Sequence, residues 1–232
     1  MNWDKILKLQ EFDSCTVANG LEMLGARDPS AGYTGPDVRA LMPQLGRRVG
    51  IAVTARMDTT SPGMDNPPSL FYDWIRLMVA AARSNGGQPV PVIAVMESVG
   101  PRPRYTVTIG DHMATVMKMA GATGFLTNGS IRDLEGVTDV PLPCWATGLS
   151  PMHGKLRWLD VNSPVVIDGM VVRPGDVIAA DVNGVLCIPP DVADQVYDKA
   201  LAVQEKERTL FTKLSEPGLT VENYISYLTS KK

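Results

Sequence analysis

The chain has 232 residues, 44% of them hydrophobic and 20% charged, an ordinary balance for a globular protein with room for one large domain or two small ones. Disordered and collagen-like chains are excluded by that balance. Lys and Arg number 22 against 25 Asp and Glu, a net charge of -3, which supplies no basic field for nucleic acid.

The opening stretch, MNWDKILKLQEFD, is charged throughout and lacks the apolar centre of a signal peptide. No apolar run approaches the roughly 20 residues of a membrane span. A soluble, unexported, cytoplasmic protein is expected. Val17, Leu21 and Leu24 fall at i, i+4, i+7 and predict a short helix over Asp13 to Leu24, with Asp13 or Ser14 capping it and Gly25 ending it. After a Gly/Pro/Asp-rich stretch, Val49 to Met57 reads as a buried strand, and Thr59 to Pro68 as loop. Ser69 is placed to cap a second helix, apolar at Leu70, Trp74, Leu77, Met78 and Ala81, and Pro89 to Met96 reads as a strand running to Glu97.

From Gly110 the pattern predicts a helix capped by Asp111, with Met113, Val116, Met117 and Ala120 on one face and its end at Gly121. A strand over Gly124 to Thr127 and an Asn128-Gly129 turn follow. Strand, helix and strand here read as a βαβ unit with a parallel pair. The second half has hairpin texture. Val165 to Ile167 and Met170 to Val172 flank an Asp168-Gly169 turn, RPGD at 173–176 is a turn, and Val177 to Ala180 and Val185 to Ile188 flank another at 181–184. Helices first and hairpins later indicate an α+β layer fold. After Pro190, one long polar helix capped by Asp191 runs to about Leu214, and its sparse apolar positions suit packing on a partner subunit. Residues 1–190 are read as the core and 191–232 as a helical extension packing on that core or on a neighbouring subunit.

Cys15, Cys144 and Cys187 are widely spaced and form no CxxC pair, which signals neither a disulfide framework nor a thiolate zinc site. Cys144 and Cys187 read as inert core thiols. With His112 and His153 the only histidines, a multi-histidine zinc site is excluded. The chemically informative segment is residues 110–133, GDHMATVMKMAGATGFLTNGSIRD. Free amides at the start of its helix make a carboxylate site, and helix plus strand return the chain so that Asp111 and the Arg132-Asp133 pair converge. The same spacing is equally compatible with Asp111 as a bare cap and Arg132-Asp133 as a solvated ion pair. Asp181-x-Asn183-Gly184 is read as a hairpin turn rather than a cation loop.

The run Asp111-x20-Arg132-Asp133 resembles the signature of the class II pyruvate aldolases acting on 4-hydroxy-4-methyl-2-oxoglutarate or 4-carboxy-4-hydroxy-2-oxoadipate, a superfamily that includes the regulators of ribonuclease activity A. WATGLSPMHGKLRW, GMVVRPGDVIAADVNGVLCIP and the AVQEKE stretch extend the similarity over about Asp13 to Glu207. The resemblance implies a β/β/α sandwich of the swivelling-domain kind, assembled as a homotrimer or homohexamer with sites at subunit interfaces. It implies that the amides of Gly110, Asp111, His112 and Met113 bind the pyruvyl carboxylate and that Asp111 holds a water through which the C4 hydroxyl proton leaves. Arg132 would then stabilise the enolate, and Asp133 would ligate Mg2+ or Mn2+. The activity implied is a lyase releasing pyruvate from a 4-hydroxy-2-oxo acid, with oxaloacetate decarboxylation on the side.

A non-catalytic regulator that binds a ribonuclease, and the same enolate chemistry on another 2-oxo acid, are the alternatives. The family's acidic residue three positions after Asp133 is absent, since Gly136 stands there and Glu135 one residue earlier. Glu205 and Glu207 are the candidates to reach a neighbouring site. Arg102 and Arg104 are read either as solvated or as selecting a distal carboxylate, and His153 as a loop residue without a matched role.

Overall fold

The computed structural model describes residues 1–64, 66, 68–105 and 107–230. The N-terminal third holds α1 (Trp3–Leu7), α2 (Ser14–Leu24), β1 (Arg39–Ala40), β2 (Arg48–Asp58) and α3 (Ser69–Ala82). The middle holds β3 (Val92–Val99), β4 (Val107–Ile109), α4 (Asp111–Met119), β5 (Ala122–Thr127), β6 (Ser130–Ile131), α5 (Leu134–Asp139), β7 (Cys144–Ala146) and β8 (Gly148–Leu149). The remainder holds β9 (Arg157–Val161), β10 (Val165–Ile167), β11 (Met170–Val172), β12 (Val177–Asp181), β13 (Gly184–Ile188), α6 (Ala193–Leu214) and α7 (Val221–Thr229).

One mixed sheet organises the fold, in the order β1-β7-β5-β3-β2-β12-β13. Its centre is parallel: β2 pairs β3, β3 pairs β5 and β5 pairs β7 in the same direction. The other edge of the long β2 is shared by two antiparallel strands, β12 along Arg48 to Ile51 and β9 along Ala55 to Asp58. Alternation along β3 separates two cores, as period-two side-chain geometry requires. Val92, Ala94 and Met96 face a cluster with Trp74, Met78, Ala114 and Met117 of α3 and α4, while Ile93 and Val95 face the β10-β11 hairpin through Val165, Ile167, Met170 and Val172. The layers are helix, sheet and hairpin, the α+β sandwich expected. Trp74 is fully buried and donates its indole N–H to the Val53 carbonyl at 3.1 Å, so truncating it would cost about 3–5 kcal/mol.

A third cluster joins α1, α2 and α6 to β12 and β13. The first half of α6 therefore packs inside its own chain: Val196, Ala200 and Val203 are buried, and Gly20 of α2 lies so near the Ala200 backbone that a Cβ there would meet its nitrogen at 2.9 Å. Of the two placements that the sparse apolar spacing suggested, core or partner subunit, the first half of α6 takes the core through α2. Farther along, Phe211 and Leu214 are exposed, as are Val221, Ile225 and Leu228 of α7.

Several expected boundaries shift for backbone reasons. Strand β3 begins at Val92, because Pro89 and Pro91 lack N–H donors for a ladder. Ser69 is the first residue of α3 and Pro68 stands at its cap, with no side-chain cap bond. Helix α6 starts at Ala193 with Val192 at the cap, so Asp191 does not cap it. Asp13 does cap α2, its carboxylate accepting the Thr16 N–H at 2.7 Å, and Gly25 ends that helix at φ 60°. The 181–184 segment is the hairpin turn expected, with Asp181 opposite Gly184. Cys144 and Cys187 are buried, and burial pushes both thiols up. Among the described residues no helix is long and apolar enough to cross a membrane.

Candidate active site

A small second sheet, β4-β6-β8, positions the site. The Asn128-Gly129 step does not reverse the chain; it hands it from β5 into β6, which runs parallel to β4 with Ile131 opposite Ile109. Strand β8 lies parallel on the other side of β6, Leu149 opposite Ile131. All three strands therefore deliver their following residues to one end of the sheet, where ligand sites form on parallel strands. Those residues are Gly110-Asp111 after β4, Arg132-Asp133 after β6, and the loop from Ser150 to Leu156 after β8.

At that end lies a cavity of about 230 Å³, lined by Gly110, Asp111, His112 and Met113, by Arg132, and by His153 and Leu156, with Val107, Thr108 and Ile109 behind them. Five of the six predicted site residues, Gly110, Asp111, His112, Met113 and Arg132, share this lining. The sixth, Asp133, lies beside it. Its Oδ2 is 3.2 Å from Arg132 Nε, and a second, more open depression holds Arg132 and Asp133 together with Leu149 and Ser150. The backbone of Asp133 is left-handed, at φ 54° and ψ 45°, a conformation Asp tolerates better than most residues but which still stores about 1 kcal/mol or more.

Gly110, not Asp111, is the cap of α4. Its carbonyl accepts the Ala114 N–H at 3.0 Å and Asp111 is already helical. The Asp111 carboxylate instead accepts the His112 N–H at 2.6 Å. Two glycines provide the closeness. A Cβ on Gly110 would stand 2.5 Å from Asp133 Oδ2 and 3.1 Å from Arg132 Nε, and one on Gly136 would stand 2.8 Å from Asp111 Cβ. The position where an acidic residue was expected is thus filled by the Asp111 side chain, and Glu135 is exposed and lines neither depression.

A family model described as RraA-like, Aldolase/RraA, matches residues 14–187. The chain belongs to the RraA-like family. It is similar to Protein DlpA of Legionella pneumophila, at 33% identity over 115 residues that cover 49% of this chain and 18% of that protein. A Halalkalibacterium halodurans protein named "Putative 4-hydroxy-4-methyl-2-oxoglutarate aldolase" is 27% identical over 117 residues, 50% of this chain and 56% of that protein. The chain spans less than two thirds of either curated relative. In fold it is similar to Streptomyces coelicolor RraAS2, described as an unusual member of the RNase ES inhibitor RraA protein family, with TM-score 0.70 and 23% identity over 90% of this chain and 96% of that one.

Other candidates of this RraA-like chain lie elsewhere. Arg104 is held by Asp37 at 2.6 Å and Asp168 at 3.6 Å, and Arg102 stacks on Tyr105 with 4.8 Å to the ring centroid. Neither lines the cavity. Glu205 pairs with Arg208 at 2.7 Å on exposed α6, and Glu207 lines a groove between α2 and α6. The cavity also has a lining residue that sequence reasoning left without a matched role, His153. No helical or strand period marks it. Its only signal is a place in SPMHGK just after a short strand, and pairing of β8 with β6 is what brings it to the cavity.

Proposed function

We propose that this cavity is the site of a divalent-metal-dependent carbon-carbon lyase, which releases pyruvate from a 4-hydroxy-2-oxo acid through an enolate and decarboxylates oxaloacetate on the side. The observation that carries the reading is the Ile109–Ile131 register, which sets the helix start at Gly110-Asp111 beside Arg132-Asp133 at the mouth of one cavity.

The first-turn amides of α4 that the Asp111 carboxylate does not take bind the pyruvyl carboxylate, where the helix dipole favours negative charge. Arg132 directs its guanidinium to the 2-oxo oxygen and stabilises the charge that develops there. Asp111 holds a water at the reacting carbons. Val107, Ile109, Met113 and Leu156 give that space an apolar wall. Among the described residues no group of three or more His, Cys, Asp and Glu converges on one point. A single carboxylate, Asp133, with one oxygen turned to Arg132, fits an ion that takes one or two carboxylates and keeps its waters, as Mg2+ and Mn2+ do. When bound, such an ion supplies Lewis-acid polarisation of the 2-oxo group.

The expected assembly is a cytoplasmic homotrimer or homohexamer of 1–190 cores, in which Glu205 or Glu207 of the 191–232 extension reaches a neighbour's cavity. Neither residue lines the cavity of its own chain, which is consistent with that role. Pyruvate release from oxaloacetate and from 4-hydroxy-4-methyl-2-oxoglutarate, with and without Mg2+, tests the reading. Metal-dependent release is expected, and Arg132→Ala should lower kcat by at least ~100-fold, the scale of removing a charge-stabilising donor. Near-wild-type turnover by Arg132→Ala would remove its assigned role. No release above the metal-only background would favour the ribonuclease-binding reading, checked by pull-down of a ribonuclease, or the same chemistry on another 2-oxo acid.

A further inference from the structure

We propose that His153 takes the proton from the C4 hydroxyl during carbon-carbon cleavage, an inference that rests on the lyase reading above. His153 shares the cavity lining with Asp111 and Arg132. Its Nδ1 is 2.7 Å from the Gly154 carbonyl oxygen. A carbonyl only accepts hydrogen bonds, so Nδ1 carries the hydrogen and the neutral ring keeps its lone pair on Nε2. Among the described residues Nε2 has no protein partner.

The loop that holds the ring is tied to the small sheet on both sides. Ser150 N donates to the Ile131 carbonyl at 3.0 Å, Val107 N donates to the Met152 carbonyl at 3.1 Å, and Ser150 Oγ donates to the Tyr105 carbonyl at 2.9 Å. Other bases in the lining are less suited. Thr108 spends its hydroxyl on the Ser130 carbonyl at 3.0 Å, and Asp111 has one oxygen taken by the His112 N–H. His112 sits in the first turn of α4, where the pyruvyl carboxylate docks. A carboxylate is a weak base toward an alcohol, whereas a neutral imidazole nitrogen with a free lone pair serves better.

The step balances. The C4 hydroxyl O–H bond breaks and its proton passes to Nε2, its electron pair forms the C4 carbonyl, and the C3–C4 pair becomes the C2–C3 enolate. The proton on His153 then returns to C3, so none is gained or lost overall. Oxaloacetate has no C4 hydroxyl, and its loss of CO2 needs no such acceptor. The two reactions of one site therefore differ in their need for His153.

The test measures kcat with Mg2+ for 4-hydroxy-4-methyl-2-oxoglutarate cleavage and for oxaloacetate decarboxylation in wild type, His153→Gln, His153→Asn and Arg132→Ala, with thermal unfolding to confirm that each variant folds. Loss of a general base is worth roughly 10²-fold or more, so the ratio of cleavage to decarboxylation should drop by about that factor in both His153 variants. A parallel fall in the two reactions, as a metal ligand or a merely structural residue would give, overturns the proposal, and so does an unchanged ratio. If the unsubstituted protein itself decarboxylates oxaloacetate but cleaves no 4-hydroxy-4-methyl-2-oxoglutarate, the proposal falls while the enolate site stands. If Arg132→Ala spares both reactions, the placement of the lyase reaction in this cavity fails.

Discussion

Ile109 and Ile131 stand opposite each other in parallel register, and Arg132 N donates to the Ile109 carbonyl at 3.1 Å. That one pairing joins residues 22 apart in sequence, so that the start of α4 and the Arg132-Asp133 step leave the small sheet side by side. Everything assigned to the cavity depends on how closely these two segments approach.

Gly110→Ala tests that closeness. The added methyl would fall 2.5 Å from Asp133 Oδ2, so the Arg132-Asp133 pair must move. Displacement of a catalytic group by about 1 Å costs up to roughly 10²-fold in rate. Turnover should therefore drop at least ~10-fold while circular dichroism stays native. Full activity in this variant would mean that the pair is free to shift without consequence.

Restoring the family's acid by Gly136→Asp should fail to improve metal affinity. Its Cβ would meet Asp111 Cβ at 2.8 Å, and overpacking of this kind costs about 1–3 kcal/mol. Titration of Mg2+ by calorimetry should show equal or weaker binding than wild type, with a lower unfolding midpoint. Tighter binding would show that position 136 is a vacant ligand position after all.

The α2–α6 contact predicts a stability effect far from the cavity. In Gly20→Val the side chain would press on the Ala200 backbone, which cannot rotate away as a side chain tip can. A loss of about 1–3 kcal/mol in urea unfolding is expected. A wild-type midpoint would indicate that α6 is loosely attached.

Asp13 gives an acid-side pH dependence. The Thr16 backbone N–H bond holds its carboxyl below the usual range. A carboxylate depressed in the folded state adds stability above its unfolded pKa, and the contribution is lost as pH falls through the lower, folded value. Asp13→Asn keeps a cap acceptor and should flatten stability against pH in that acid window. Asp13→Ala should cost about 1 kcal/mol at neutral pH. Equal acid sensitivity of wild type and Asp13→Asn would assign the dependence to other carboxylates.

Much of the fold was legible because its local signals are strong. The Asp13 cap, the Gly25 terminator and the β-branched run of β2 each act over a few residues, and the Asp168-Gly169 and 181–184 turns specify hairpins by themselves. At the site, Gly110 to Met113 and Arg132 were legible from motif and spacing, and they do share one cavity. Helix starts at Ser69, Asp111 and Asp191 were misplaced by one or two residues, because the residues that stand at the caps, Pro68, Gly110 and Val192, make no side-chain cap bond and leave the start to backbone geometry.

What the sequence determined alone was the local conformational preference of each segment, its charge balance and the pattern Asp111-x20-Arg132-Asp133. Tertiary structure decided the rest. It placed β6 and β8 in a separate parallel sheet with β4, which turned the Asn128-Gly129 turn into a crossing point and brought His153 into the lining of the cavity that Arg132 also lines. It also satisfied the apolar face of α6 with α2 and filled the space at Gly136 with Asp111. The physical reason is the same in each case: two-residue strands and single side chains carry too little local energy to announce a partner, so only the pairing of distant backbone selects one.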